Sequence, residues 1–533
     1  MAQNKTHLIF WKIACLASMI NIGVFAVRLI LAPHATTVQF IPDDGFYYLT
    51  LARNYSEMGQ WSIDSGISVT SGFHPVLGYM LTWLYSILTP SPWNFVYLSV
   101  ALTAGFSLLA CGYILKWALK QNDILMLALI TLAFSAPHFL TNATSITEWS
   151  LTLLISLLFT STFIEHFGSK HTKPAVLIFL LGLIGSLTRS DFGLWPAALF
   201  AASVIYSFWS KKPKTNIWLP LWGLAGAGLG AAAGLAHNFL LTGSVFQSSA
   251  MVKAYWAKFS DDIGYTIAYL FFSSAGISGQ HASIPRLGLI LICILMIGSI
   301  IISRRGRQPK SPISEIIHQE KNARYLVLAA GSLMALGGYT FFYSLNGAVS
   351  PWYSVNLLIP LFVILYIFLT ISINHFIIGR IKNIFSVSLY IMIGLVSLYN
   401  ILGLQTFNPF FSPWPYQKYF LEAGLYLQEQ ELPGRVAAWN SGVIGYFQGG
   451  EVINLDGLVN NDIYAHMISN TIPTYLEMQQ VRYVIDQEMT FHEYFSRRGG
   501  FHDPNFLKRL VQTQSFGDPS LSWNHIVLFE IRP

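Results

Sequence analysis

Two adjacent aspartates, Asp43 and Asp44, are the residues of this chain whose type and position point most directly to chemistry. The sequence has only 25 acidic residues in 533, and this pair follows the first long apolar run. A carboxylate close to a bilayer is costly and is a functional-site hypothesis by default. Position alone leaves two interpretations open, because the pair could equally cap a helix predicted over residues 44–58.

Further polar side chains stand at the predicted helix ends. His74 could bind a phosphate, transfer a proton or ligate a metal, or it could simply begin an interfacial helix. Glu148 is an isolated acid, which is usually solvated. Arg189 is suited to bidentate contact with phosphate oxygens, whereas Asp191 is expected to pair with Arg189 structurally.

Two residues on predicted outer loops complete the candidates. Lys253 is either a phosphate contact or a solvated lysine, because topology disfavours positive charge there. Tyr353 opens a helix at the interface, where it serves either the aromatic belt or the substrate. The sequence has no P-loop, dinucleotide fingerprint, HExxH motif or serine nucleophile elbow, which argues against ATP-driven transport and common hydrolases.

Composition assigns the chain to polytopic membrane proteins. It is 53% hydrophobic and 11% charged, against roughly 25% charged residues in soluble domains. Its apolar runs approach the roughly 20 residues that cross a bilayer. The net charge of +6 lies mostly in short loops, so it reports topology and not nucleic-acid binding. Cys15, Cys111 and Cys293 fall in apolar runs and predict neither disulfides nor a zinc site.

Loop charges orient the predicted bundle. Lys5 and Lys12 place the N-terminus in the cytoplasm, and an odd number of crossings then places the C-terminal region outside. Residues 73–88 are apolar but short, and a full crossing there would invert every later loop, so we expect an interfacial or re-entrant segment. The eleven predicted crossings are 8–31, 93–116, 123–141, 147–167, 174–189, 192–209, 216–236, 285–303, 324–345, 352–373 and 384–403.

The sequence divides into two regions. Residues 1–404 form the transmembrane module, whose outer loop 32–75 carries the aspartates on a helix with one apolar stripe, expected in the membrane interface. Residues 405–533 regain charge and turn signals, which predicts a small soluble α/β domain on the outer side. Its predicted elements are a helix over Tyr416–Gln430 and strands over Val436–Trp439, Glu451–Leu455, Arg482–Ile485 and His525–Ile531.

The chain carries an ordered set of short motifs: Asp-Asp-Gly-Phe-Tyr-Tyr-Leu (43–49), Thr-Ser-Gly-Phe-His-Pro (70–75), Glu148, Thr-Arg-Ser-Asp-Phe-Gly (188–193) and Ser-Ser-Ala-Met-Val-Lys (248–253). This set resembles bacterial GT-C glycosyltransferases, a superfamily that includes protein O-mannosyltransferases and the aminoarabinose and Rgt-type sugar transferases. Residues 437–447 and 452–460 also resemble the outer domain of some members. Gly45 departs from the alanine of many members, and the stretch before Lys253 lacks their usual proline.

The resemblance implies an inverting transferase that uses a polyprenyl-phosphate-linked sugar on the outer face of the bacterial inner membrane. The acceptor would be a lipid, a glycan or a protein. A hydroxyl acceptor needs a carboxylate to take its proton, and the leaving phosphate needs cations. The resemblance makes Asp43 the first choice for the base, with Asp44 orienting it or assisting the acceptor.

The remaining site residues follow from the same resemblance. His74, Arg189 and Lys253 would face the phosphate, and Glu148 would add a second acidic contact. Some relatives use a divalent metal, for which Asp43, Asp44 and His74 would be the ligands. Two other functions stay open: a lipid-sugar flippase or solute transporter, whose charges would also line a membrane cavity, and an inactive scaffold whose outer domain binds a partner.

Overall fold

A computed structural model describes residues 2–210, 215–259, 323–345, 350–371, 380–405, 413–430, 432–494 and 498–533. Helices make up most of the described part of the membrane module. Short 3-10 helices at Val38–Phe40, Ser190–Gly193, Ala257–Phe259 and Pro351–Ser354 join some of them. The α-helices are Ala2–Leu31, His34–Thr37, Asp43–Met58, Pro75–Leu88, Pro92–Gln121, Ile124–Ser135, Pro137–Ala143, Trp149–His166, Thr172–Thr188, Leu194–Ser210, Thr215–Thr242, Ser248–Trp256, Ala323–Ser344, Val355–Ile371 and Arg380–Gln405.

The predicted multi-pass membrane architecture is confirmed. Among the described residues, six helical segments are long and apolar enough to cross a membrane, or seven if one bent pair is a single span. The predicted count of eleven is therefore not established, and the predicted crossing 285–303 lies outside the described residues. The six segments are Thr6–Leu31, Pro92–Gln121, Ser190–Ser210, Ile217–Thr242, Ala323–Ser344 and Pro351–Thr370.

Two predicted segments depart from straight spans. The predicted crossing 123–141 is broken at Ala136, where two helices meet at 62°. The cause is Pro137, which disfavours helical geometry at the residue before it, and Ala136 accordingly has a ψ of 132°. The Pro75–Leu88 helix has 14 residues and rises about 21 Å, short of a hydrocarbon core of about 30 Å.

Glycines bring two helices of the module into direct backbone contact. A Cβ atom on Gly226 would lie 2.0 Å from the carbonyl oxygen of Phe179, and one on Gly230 would lie 2.3 Å from that of Leu183. The sequence is rich in Gly and Ala over Gly223–Gly234, a composition that predicts close helix packing, and the structure shows that packing. Both helices also contact the turn Ser190–Gly193, which follows Arg189.

The C-terminal domain is α/β, as predicted. It contains five strands: β1 (Arg435–Ala438), β2 (Ile453–Asn454), β3 (Val481–Gln487), β4 (Leu510–Gly517) and β5 (His525–Ile531). Their order is β2-β1-β3-β5-β4, with β1 parallel to β2 and β3 and with β5 antiparallel to β3 and β4. The helices are Gln417–Glu429, Ser441–Gln448, Ile463–Ile468, Ile472–Met478 and Pro504–Lys508. The sequence does not reveal β4, because this edge strand is largely exposed and polar.

The helix that carries the aspartates is buried between two others. Asp43–Met58 packs against Pro75–Leu88 on one side and against Ser441–Gln448 of the C-terminal domain on the other. Phe46 and Leu49 are fully buried, as are Leu51 and Ala52 of the predicted stripe, whereas Met58, at the end of that stripe, is 44% exposed. The prediction of one apolar stripe is therefore wrong, because the C-terminal domain covers part of the remaining surface.

The glycine contact predicts a specific packing defect. Gly226→Val should lower the melting temperature of the detergent-solubilised protein by several degrees, because overpacking costs about 1–3 kcal/mol. Gly228→Val is the matched control, since nothing lies within 4 Å of a Cβ atom at Gly228. Equal melting temperatures for the two variants would contradict backbone contact at Gly226.

Candidate active site

A small cleft of about 50 Å³ opens where the membrane module meets the C-terminal domain. Its walls come from segments far apart in the sequence. They include the predicted site residues Asp44, His74, Glu148, Lys253 and Tyr353, together with residues that the sequence did not single out. These further residues are Tyr47, Tyr48, Leu51, Gly72, Phe73, Thr147, Gln247, Ser249, Trp352, Leu458 and Val459.

Asp43 binds the C-terminal domain. Its two carboxylate oxygens accept the backbone N–H groups of Gly442, at 2.8 Å, and Val443, at 2.9 Å. These amides belong to the first turn of Ser441–Gln448, so Asp43 caps a helix of the other domain rather than its own. Burial raises the pKa of Asp43 to about 7, although the two amides oppose the shift.

Asp44 faces the cleft. Burial is the main cause that raises its pKa, to about 6. The positive charge of Lys253 lowers the pKa, and the negative charge of Glu148 raises it again. A carboxyl group with this pKa is mostly ionised at neutral pH, yet it binds a proton more strongly than an ordinary aspartate. Both properties suit a general base.

Arg189 joins two carboxylates beneath the cleft. Its guanidinium donates to Glu148 Oε1 at 2.5 Å and to Asp191 Oδ2 at 3.1 Å. All three side chains are almost completely buried. The expected pairing of Arg189 with Asp191 is therefore present. The predicted phosphate contact by Arg189 stays a prediction, and such a phosphate would share the guanidinium with both carboxylates.

Asp191 is held from a second side as well. The Tyr343 hydroxyl donates to Asp191 Oδ2, and the Asn356 side-chain amide donates to Oδ1 at 2.8 Å. Both carboxylate oxygens thus accept from the helices Ala323–Ser344 and Val355–Ile371. The network fixes the orientation of Arg189 below the cleft.

Tyr48 links the acid network to the His74 segment. Its hydroxyl donates to Glu148 Oε2 at 3.2 Å and accepts the backbone N–H of His74 at 3.1 Å. The His74 Nε2 atom lies 3.6 Å from Glu148 Oε1. Burial lowers the pKa of His74, so its imidazole is neutral at neutral pH. A neutral imidazole can donate one hydrogen bond and accept another, but it offers no positive charge to a phosphate.

Lys253 supplies a positive charge in the cleft wall. Its ammonium donates to the Tyr353 hydroxyl. The ring of Tyr353 also lies between two cations, 4.7 Å from Lys253 Nζ and 4.5 Å from Arg189 Cζ. Burial lowers the pKa of Lys253, but Tyr353 and Asp44 outweigh burial and hold this pKa above its ordinary value.

The C-terminal domain adds an acid that the sequence did not single out. Asp456 accepts the Tyr47 hydroxyl at 2.8 Å, and the Leu458 N–H at 2.7 Å. Burial raises the pKa of Asp456 to about 8. Its segment, 452–460, was noticed only for its resemblance to an outer domain, because sequence alone does not show that it returns to the aspartate helix.

The three candidate metal ligands do not form a metal-binding site. Within the part of the chain that the structure describes, no group of three or more His, Cys, Asp or Glu side chains could hold a metal ion. Both oxygens of Asp43 are bonded to amides. The residues Asp43, Asp44 and His74 therefore do not fit the divalent ion that the resemblance allows.

Comparison with known families concerns mainly the C-terminal domain. Residues 414–523 match the family described as "Domain of unknown function (DUF8728)". No curated protein sequence matches the chain significantly.

Among solved structures, three match most of the chain, each with low sequence identity and a TM-score below 0.5. ArnT from Cupriavidus metallidurans in the apo state is 12% identical, with a TM-score of 0.48 over 95% of this chain and 97% of that one. The same protein bound to undecaprenyl phosphate is 12% identical, with a TM-score of 0.49 over 96% of this chain and 97% of that one. An oligosaccharyltransferase from Archaeoglobus fulgidus, in complex with Zn and sulfate, is 13% identical, with a TM-score of 0.42 over 94% of this chain and 72% of that one. Similarity at this level identifies no substrate and no catalytic residue.

The buried ion network predicts a stability defect at Arg189. Arg189→Met should lower the free energy of unfolding by about 3–5 kcal/mol, because it leaves two buried carboxylates without their cation. Thermal melting in detergent measures the loss. A variant that melts like the parent but binds undecaprenyl phosphate more weakly would instead establish Arg189 as a phosphate contact.

Proposed function

We propose that this protein is a glycosyltransferase of the bacterial inner membrane, acting on its outer face. It moves a sugar from a polyprenyl-phosphate donor to a hydroxyl acceptor on a lipid, glycan or protein. The observation that carries the proposal is that Asp44 and Lys253 line one small cleft beside a membrane bundle. One supplies a proton acceptor, and the other supplies a positive charge for a phosphate.

The reaction needs these two charges on opposite faces of the anomeric carbon. The acceptor oxygen attacks the anomeric carbon, and its proton passes to Asp44. The bond between the anomeric carbon and the phosphate oxygen breaks, and the electron pair leaves with the polyprenyl phosphate. Lys253 stabilises the developing negative charge. A single displacement from the side opposite the phosphate inverts the anomeric configuration.

The geometry favours Asp44 over Asp43 as the base. Motif order alone suggested Asp43, but its oxygens are bound by two amides of the C-terminal domain. Asp44 instead borders the cleft and has a pKa raised to about 6. We therefore assign proton acceptance to Asp44 and positioning to Asp43.

The decisive experiment removes the base. Asp44→Asn should lower transfer by roughly 10²–10⁴-fold, because the amide cannot accept the acceptor proton. Purified protein is given radiolabelled undecaprenyl-phosphate sugars and extracts of bacterial membranes as the acceptor source. Asp518→Asn, on an exposed turn of the C-terminal domain, is the matched control and should retain transfer.

The same assay separates the competing functions. Transfer that persists in Asp44→Asn would exclude Asp44 as the base. Movement of labelled lipid across liposomes without transfer by the parent protein would favour the flippase, and neither movement nor transfer would favour a scaffold.

The pKa of Asp44 predicts a pH profile. The base works only when ionised, so kcat/KM should rise with pH, pass its half-maximum near pH 6 and then stay level through pH 8. Lys253 adds no falling limb in this range, since its pKa lies above the ordinary lysine value. A profile that is flat between pH 5 and 8 would contradict the assignment.

A further inference from the structure

We propose that the C-terminal domain is the clamp that fixes the proposed base relative to the proposed phosphate cation. This inference rests on the proposed function. Two neighbouring segments of the domain support this inference. The first loop is residues 439–443, which lead from β1 into the first turn of the helix Ser441–Gln448, and the second loop is residues 455–461, after β2. Because β1 and β2 are parallel, these loops leave the same edge of the sheet. Together they contact the three segments of the membrane module that bear Asp44, His74 and Lys253.

The first loop holds the Asp44 helix. The amides of Gly442 and Val443 bind the carboxylate of Asp43, the residue directly before Asp44. The backbones meet so closely that a Cβ atom on Gly442 would lie 2.3 Å from the Asp43 carbonyl oxygen and 2.6 Å from Oδ1. The Tyr47 hydroxyl, one turn along the same helix, donates to Asp456 at 2.8 Å. The helix therefore cannot rotate or slide without breaking bonds to the C-terminal domain.

The second loop holds the other side of the cleft. The carbonyl oxygen of Leu458 accepts the Ser248 hydroxyl at 2.8 Å, where the helix that carries Lys253 begins. A Cβ atom on Gly72, two residues before His74, would lie 1.8 Å from the same oxygen. One carbonyl group thus contacts the Lys253 helix and the His74 segment together.

Asn461 strengthens this second contact. Its Oδ1 atom accepts the Thr70 hydroxyl at 3.2 Å and the Ser71 N–H at 3.0 Å. The side chains of Leu458 and Val459, in the same loop, line the cleft itself. A module that only recruits an acceptor needs none of these contacts. A clamp needs all of them, because a displacement of about 1 Å costs up to roughly 10²-fold in rate.

The test compares two glycines on one short helix. Gly442→Ala should separate the helix Ser441–Gln448 from Asp43. Gly445→Ala makes the same substitution one turn later, where the nearest atom to a Cβ is 3.5 Å away. For Gly442→Ala we expect kcat to fall by about 10²-fold, while the KM for the donor changes by less than about twofold. Gly445→Ala should match the parent.

Two readouts exclude a merely structural defect. Loss of the clamp should expose Asp44, which is partly buried in the parent, more fully to water. The acidic limb of the pH profile of kcat/KM should then move below pH 6, because burial is the main cause that raises this pKa. Hydrogen exchange of the 440–448 amides in the full-length protein should accelerate in Gly442→Ala and in Asp43→Asn but not in Gly445→Ala.

The outcomes keep the two proposals apart. If the parent transfers no sugar, the proposed function fails, while the exchange rates still decide whether Asp43 holds the domain. The clamp is refuted if the parent is active and Gly442→Ala has the same kcat, the same acidic limb of kcat/KM and the same hydrogen-exchange rates of the 440–448 amides. If Gly442→Ala does not fold, Asp43→Asn replaces it in the test. This variant keeps the side-chain volume and one oxygen that can accept a backbone N–H group.

Discussion

Burying carboxylates at the edge of a membrane bundle is the physical constraint on which this site depends. Glu148, Asp191 and Asp456 are buried around one cleft, and Asp43 and Asp44 are partly buried there. A buried charge is tolerated only if it is paired, hydrogen-bonded or neutralised by a proton. The acids here meet this constraint in more than one way.

Two of the acids are compensated by a cation and one by amide groups. Glu148 and Asp191 share the guanidinium of Arg189. Asp43 accepts two backbone N–H groups at a helix N-terminus, where a negative charge is favoured. Asp456 accepts a tyrosine hydroxyl and an amide and, with a pKa of about 8, is mostly protonated at neutral pH. For Asp44, by contrast, the largest effect that opposes the rise in its pKa is the positive charge of Lys253. Asp44 and Lys253 both line the cleft, so the charge that compensates this carboxylate belongs to the cleft itself.

The sequence predicted the components of this site better than their connections. Composition and apolar run lengths identified the helical membrane module, and turn signals located the α/β domain, because both depend on local patterns. Among the site residues that the sequence predicts, Asp44, His74, Glu148, Lys253 and Tyr353 all line the cleft. The contact between Asp43 and Val443 joins residues 400 positions apart, and no local pattern reports such a contact. For the same reason Tyr47 and Leu458 escaped notice as cleft residues.

Helix geometry explains why two adjacent aspartates can serve different ends. Successive residues of an α-helix point about 100° apart, since 3.6 residues complete one turn. Neighbouring side chains therefore do not face the same surface. At the start of Asp43–Met58, this rotation directs one carboxylate to the amides of the C-terminal domain and the next to the cleft. Capping and catalysis, which compete as explanations when the pair is considered as a unit, become compatible once each aspartate is assigned its own partner. The cap fixes the first turn of the helix, and a fixed first turn determines where the second carboxylate lies in the cleft, which is the position that the proposed role as base requires.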